Sequence, residues 1–249
     1  MRGGGILRTK AIFEYSATAT SQILFDGGTL QAAVSGALIY SVDDVRLTAN
    51  GMVVDTAGYN VSIAAVLRDA AGEAGSITEK GTGTLTLATD RTATGPMSVL
   101  SGGTLVASNG LAVAAGTSRI DGTLTLTTAN RLTVGAGAAL AGTGAVTRVT
   151  FQDGAVLARA KSDNAITPIN ISDCAANDRL VIALTGYSFA DLRTSIPLIR
   201  APTAFINTPK ITVMLNGQAS SQLTTKFVDV GGQQVLYVSY SAGMLIKVL

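Results

Sequence analysis

Leu and Thr alternate one for one at Thr84-Leu85-Thr86-Leu87, and the same four residues recur at Thr123-Leu124-Thr125-Leu126. Alternation sends successive side chains to opposite faces of an extended strand, so the leucines face one way and the threonines the other. Thr and its β-branched neighbours favour strands. Each run opens on a glycine: Gly83-Thr84-Leu85, Gly103-Thr104-Leu105 and Gly122-Thr123-Leu124 follow one another at spacings of 20 and 19 residues. An earlier copy stands at Gly28-Thr29-Leu30, and looser relatives follow at Gly137 to Leu140 and Gly154 to Leu157. The glycines supply backbone freedom for corners. A second short apolar run follows each copy: Met97 to Leu100, Leu111 to Ala114, Leu132 to Val134. A unit is therefore two or three short strands joined by Gly corners. No such unit buries its leucine face alone, but stacked units do. Ile77 to Val146 is thus the centre of a predicted solenoid. Leu85, Leu105 and Leu124 should stack inward on parallel neighbours about 4.7–4.9 Å apart.

On either side of this stretch the pattern blurs. Between residues 11 and 76, short strands are expected at Ile23 to Phe25, Leu30 to Val34, Leu38 to Tyr40, Val45 to Leu47, Met52 to Val54 and Val61 to Ile63. Ser35-Gly36, Asn50-Gly51 and Ala57-Gly58 punctuate them as turns. Ala64 to Gly75 reads as a loop. From Lys161 the grammar changes: four of the five prolines follow (Pro168, Pro197, Pro202, Pro209), and Gly186 is the one glycine before Asn216. Longer apolar strands are expected at Leu180 to Leu184, Ile211 to Leu215, Val235 to Tyr240 and Met244 to Leu249. A hairpin should turn at Gly231-Gly232, and a short helix is expected near Phe189 to Thr194. An open solenoid end exposes strand edges and needs a cover. Residues 1–174 are therefore read as the repeat region, clearest over 77–160, and residues 175–249 as a C-terminal β-rich cap. A separate small β-sandwich is the alternative.

The segment Glu79-Lys80-Gly81-Thr82-Gly83-Thr84-Leu85-Thr86-Leu87, with Thr94-Gly95 and Ser101-Gly102-Gly103-Thr104-Leu105 after it, resembles the autotransporter-associated β-strand repeat. That pattern runs from a G-x-G-T-L-T-L strand through an N-T-Y-T-G-G-T-type turn to a G-G-T-L strand. Here Asp90 to Pro96 holds the turn, without the usual Asn and Tyr. The clear match spans about 30 residues, with a weaker echo to Ala160. The resemblance implies an all-β, right-handed parallel β-helix in a secreted or surface-displayed bacterial passenger domain. It implies no catalytic residues, because the motif is architectural.

Composition fits a continuous apolar interior. Hydrophobic residues make up 47% of 249 positions and charged residues 14%, against about 25% charged in an average soluble domain. A net charge of +2 points to neither nucleic acid nor an acidic substrate. No run approaches the roughly 18 apolar residues of a membrane helix, and no series of barrel strands with aromatic girdles is present. The N-terminus is basic but has no apolar core of signal-peptide length, so the chain reads as a piece of a longer precursor. Cys174 is the one cysteine, so no internal disulfide forms; taken alone this fits a cytosolic protein as well as a secreted one. The sequons at Asn60 and Asn170 matter only in a eukaryotic secretory pathway.

There is no histidine, which removes Ser-His-Asp and Cys-His catalysis and His-based zinc. Cys174 has no base to activate it and reads as filler. Gly81-Thr82-Gly83 and Gly102-Gly103 lack the Gly-Lys-Ser/Thr of a phosphate loop, and calcium-binding glycine-rich repeats are absent. The rival reading is a carbohydrate-active β-helix, a polysaccharide hydrolase or lyase. An inverting hydrolase needs carboxylates about 6.5–9.5 Å apart, and Asp43-Asp44 is the pair to consider. Adjacent strand residues point to opposite faces, so both read as solvated turn carboxylates. Pectin hydrolases also show N-T-D, G-H-G and R-x-K motifs; only Arg8-Thr9-Lys10 answers, and it precedes the aspartates. No Phe, Tyr or Trp occurs between Asn60 and Thr150 to stack on a sugar. The expectation is a non-enzymatic structural passenger, a stalk, scaffold or adhesin. It needs no cofactor, metal or catalytic residue. It is expected as a monomer at the cell surface or outside the cell, with an unidentified glycan or protein as its ligand.

Overall fold

The computed structural model describes residues 3–15, 18, 20–127, 129–163, 167–202 and 209–241. Within them the chain is a parallel β-solenoid of about 8 turns, with one 3₁₀ turn at Asp191–Arg193. One sheet runs through Ile6–Thr9, Thr29–Ala32, Met52–Asp55, Ile77–Lys80, Met97–Val99, Thr117–Ile120, Ala139–Ala141, Ala155–Ala160, Arg179–Thr185 and Lys210–Leu215, every pair parallel. A second runs through Ile12–Phe13, Gly36–Tyr40, Val61–Ile63, Thr84–Leu87, Thr104–Ala107, Thr123–Leu126, Ala145–Phe151, Ile169–Ala176 and Ile196–Ala201, again parallel. A shorter third face starts with Gln22–Phe25, Asp44–Leu47 and Leu67–Asp69. It resumes at Leu111–Val113 and Leu132–Val134, which pairs onto Val149 to Phe151. Parallel partners need a long crossover, and here the rest of each coil provides it.

The predicted leucine row is present. Leu85 pairs with Leu105 and Leu105 with Leu124, and the three are 0%, 1% and 0% exposed. Val61 extends the row on one side, Val146 and Ile171 on the other. Burying each such side chain contributes about 1.5–3 kcal/mol, and no coil obtains it without its neighbours.

The glycines divide into two kinds. Gly81 and Gly102 sit at φ +108° and +87° and turn the corner, as the sequence suggests. The glycine of Gly-Thr-Leu serves a different purpose. Gly83, Gly103 and Gly122 are outside the positive-φ set. A Cβ on Gly122 would collide with the carbonyl oxygens of Gly103 and Leu100 and lie 2.9 Å from Val99 Cγ1. In these three copies the glycine is there because coils approach too closely for any side chain, whereas Gly28 of the earliest copy sits at φ +114° and is a corner glycine.

Two further differences from the sequence reading concern the ends of the repeat. Ala64 to Gly75 is not wholly loop: Leu67–Asp69 forms a strand, with Leu67 buried beneath Val45 in register. Three residues that include Arg and Asp leave no visible alternation. The expected strand Met244 to Leu249 lies outside the described residues. Parallel pairing continues past residue 175 as far as Leu215. Antiparallel pairing then takes over: Gln218–Ala219 folds back on Met214 and Leu215, Gln234–Tyr240 runs against Ile196–Ala201, and Leu223–Asp229 against Gln234–Tyr240. The last two strands form the predicted hairpin, with Gly231 and Gly232 at φ +65° and +80°.

Candidate functional site

The outer face of the second sheet is the repeats' own surface. By register its first outward column is Thr84, Thr104, Thr123, Ala145 and Asn170. The second is Ser62, Thr86, Val106 and Thr125. None of these nine positions carries a charge; the first column meets one at its next position, Arg200. Beside this face a cleft of about 320 Å³ follows the stacked corners, lined by Gly103, Gly122, Gly144, Asp121, Thr143 and Asn170 among others. The Asp121 carboxylate is already engaged: it accepts from the Thr143 N–H and hydroxyl at 3.1 and 3.3 Å and pairs with Arg119 Nε at 2.5 Å. Toward the N-terminal end, Phe13 and Tyr40 stack with ring centroids 5.1 Å apart, and Phe13 and Tyr15 are 50% and 96% exposed.

Charged groups elsewhere on the surface tie coil to coil. Gln22 donates to Asp44 at 2.8 Å and Gln31 to Asp55 at 3.1 Å, across 22 and 24 residues. Arg179 holds Asp153 through two bonds of 2.8 Å, and Lys161 reaches Asp191 at 2.9 Å. Two arginines span further. Arg131 grips Asp173 at 2.6 and 3.0 Å across 42 residues and also donates to the Thr150 hydroxyl at 2.7 Å. Arg119 reaches the nearly buried Asp163 at 2.7 Å across 44 residues. The guanidinium beside Asp173 holds its carboxyl below the usual carboxylate range. Asp163 is also held low, burial pushing it up but being outweighed by the Ala160 N–H and by Arg119.

The residues singled out in the sequence are dispersed. Asp43 accepts from the Ser21 N–H at 3.0 Å, while Asp44 is taken up by Arg46 at 2.7 Å and Gln22, bonds that keep its carboxyl low. Both brace the neighbouring coil. Arg8 and Lys10 lie at the first coil, on or beside Ile6–Thr9. Cys174 is buried, paired in register with Val149, and burial pushes its thiol well above the normal range. Gly81 and Gly83 lie between strands. Among the described residues no three His, Cys, Asp or Glu side chains converge as a metal site.

Buried charges escaped the sequence reading, Asp55 and Asp163 among them, and three are the most deeply buried. Arg91 is 5% exposed and donates to the carbonyls of Gly75, Gly95 and Ala112 at 3.0, 2.7 and 3.2 Å. It fills the stretch of the third face where the ladder narrows to one bridge, Leu67 to Arg91. Burial pulls its guanidinium down to about 10, with Asp69 opposing. Arg159, 3% exposed, donates to the Thr167 carbonyl at 2.7 Å. Glu79 is the third. Alternation with Ile77 puts it on the inward face, and that parity was the available signal.

Comparison with family models, with curated proteins and with solved structures finds no match to this chain.

Proposed function

We propose that the chain is a non-catalytic structural segment of a secreted or surface-displayed passenger domain of the autotransporter kind, acting as a stalk, scaffold or adhesin. The observation that carries this reading is the use of the polar surface. The Asp153–Arg179, Asp173–Arg131, Asp163–Arg119 and Asp191–Lys161 pairs all run between coils. Single exposed pairs contribute little, but a series joining successive coils resists bending and end-fraying. The uncharged threonine face beside them is the surface available to a ligand. In the same reading, residues 175–249 cap the solenoid, carrying its last parallel strands and the antiparallel strands that close it.

The competing carbohydrate-active reading is separated by assay. The purified chain, incubated with pectin and with host glycans, with and without calcium, should release no new chain ends. Reproducible turnover that disappears in Asp43→Ala or Asp44→Ala would overturn the proposal. Protease shaving of intact cells tests display: the chain should be lost from the surface while cytoplasmic proteins survive.

A further inference from the structure

One interior column of the first sheet runs, by register, through Leu30, Val54, Glu79, Val99 and Ile120. Four of these are aliphatic and the middle one is an acid. Glu79 is 0% exposed, and neither carboxyl oxygen has a well-formed hydrogen bond; the Thr56 hydroxyl is the one polar group that eases its charge. Room for the carboxyl comes from the next coil, where a Cβ on Gly103 would overlap Glu79 Oε2. The acid therefore lies directly beneath the main chain of the Gly102-Gly103 corner, whose outer side lines the glycine cleft.

The groups around it do not neutralise a charge. Asp55, on the preceding coil, is itself acidic; its carboxylate accepts from Gln31 and from the Ala57 N–H and stands 3.7 Å from Lys80 Nζ. Lys80 follows Glu79 on its own strand and is half exposed. The Thr56 hydroxyl accepts from the Gly83 N–H and donates to the Lys80 carbonyl, both at 3.1 Å. Met97–Val99 and the corners at residues 81–83 and 100–103 contribute no charged side chain.

We propose that Glu79 is a pH-operated latch: protonated, it lets the Gly81–Gly83 and Gly102-Gly103 corners close over it, and ionised, it drives them apart until the carboxylate reaches water. A buried, unpaired carboxylate is far costlier than a neutral acid in the same place. Burial pushes this carboxyl from 4.5 up to about 7, the Thr56 hydroxyl opposing and the Asp55 carboxylate adding to it. The folded chain thus holds a proton that the unfolded chain has released. Stability is unaffected below about pH 4.5, falls as pH rises from there to about 7, and stays lowered above. The corners are the place to yield, because their glycines swing without steric penalty.

Amide exchange reads the latch directly, through the N–H groups of Gly83, Leu100, Gly103 and Thr104, which all bond across these corners. After correction for intrinsic exchange, their open population in the native chain should rise by up to about tenfold per pH unit between about 4.5 and 7 and level off above. It should stay flat in Glu79→Gln, and the amides of the Thr123–Leu126 strand should stay flat in both. Should Glu79→Gln not fold, Glu79→Val, matching Val54 and Val99, takes its place. Protection independent of pH in the native chain would overturn the latch, as would a pH response surviving in the variant.

Discussion

Replacing Gly122 by Ala isolates the closeness of the coils from every other role of glycine. Gly122 is not at positive φ, so the change adds no backbone strain. The new methyl collides with the carbonyl oxygens of Gly103 and Leu100. Both oxygens already accept ladder or corner bonds, from Thr123 N and Gly103 N, each at 3.0 Å. Overpacking costs about 1–3 kcal/mol, and two strained hydrogen bonds add roughly 1 kcal/mol each. The total is about 3–5 kcal/mol. Gly110 is the matched control: it also avoids positive φ, and its Cβ would meet only Arg131 O at 3.7 Å, an ordinary contact. Gly110→Ala should be neutral or stabilise by about 0.4–1 kcal/mol through the unfolded chain. Urea denaturation followed by circular dichroism compares the two midpoints. If Gly122→Ala melts at or above Gly110→Ala, the close-approach account of the Gly-Thr-Leu glycine is wrong.

Other outcomes follow from the braces and the end of the solenoid. Arg131→Ala should cost about 1 kcal/mol at neutral pH, the clamp being partly exposed. Asp173 is depressed in the folded chain, so its contribution is present above the unfolded carboxylate range and lost as pH falls through the folded value; acid titration of the variant should therefore show a shallower loss of stability as pH falls below the ordinary carboxylate range. Removing residues 175–249 strips Arg179–Thr185 from Ala155–Ala160 and uncovers Ala155 and Leu157. Light scattering of the 1–174 chain should show aggregation, with cooperative melting lost; a monomer melting at the full-length temperature would refute the cap.

How far this fold can be read from sequence depends on where the physics is local. Thr84 to Leu87 and Thr123 to Leu126 announce themselves because alternation and the adjacent glycine lie within a few residues. Leu67–Asp69 does not, since a three-residue strand gains its identity from Val45 and Leu47 a coil away. The change of grammar at Lys161 is real in composition, yet the parallel ladder runs through it to Leu215. Strands there are six to eight residues long and need fewer corners, so the repeat signal fades while the pairing persists. The Gly-Thr-Leu glycine was visible, but its reason was not: a clash with Gly103 O and Leu100 O exists only once coils stack. The same holds for Arg119 with Asp163 and Arg131 with Asp173, whose separations of 44 and 42 residues carry no local trace. Glu79 was within reach, because it shares the parity of Ile77 in a strand whose inward column is otherwise aliphatic.

The central claim is a braced rod in which each coil adds one fixed step. Thr84, Thr104, Thr123, Ala145, Asn170 and Arg200 lie on one column, each in register with the next. Spin labels placed on cysteines at position 84 and, in turn, at 123, 145, 170 and 200, with Cys174 replaced by Ala, measure that step by pulsed dipolar spectroscopy. The account predicts backbone separations growing by about 4.8 Å per coil, to about 24 Å between 84 and 200, with narrow distributions throughout. Distances that fail to increase in that order, or broad distributions along the column, would contradict it.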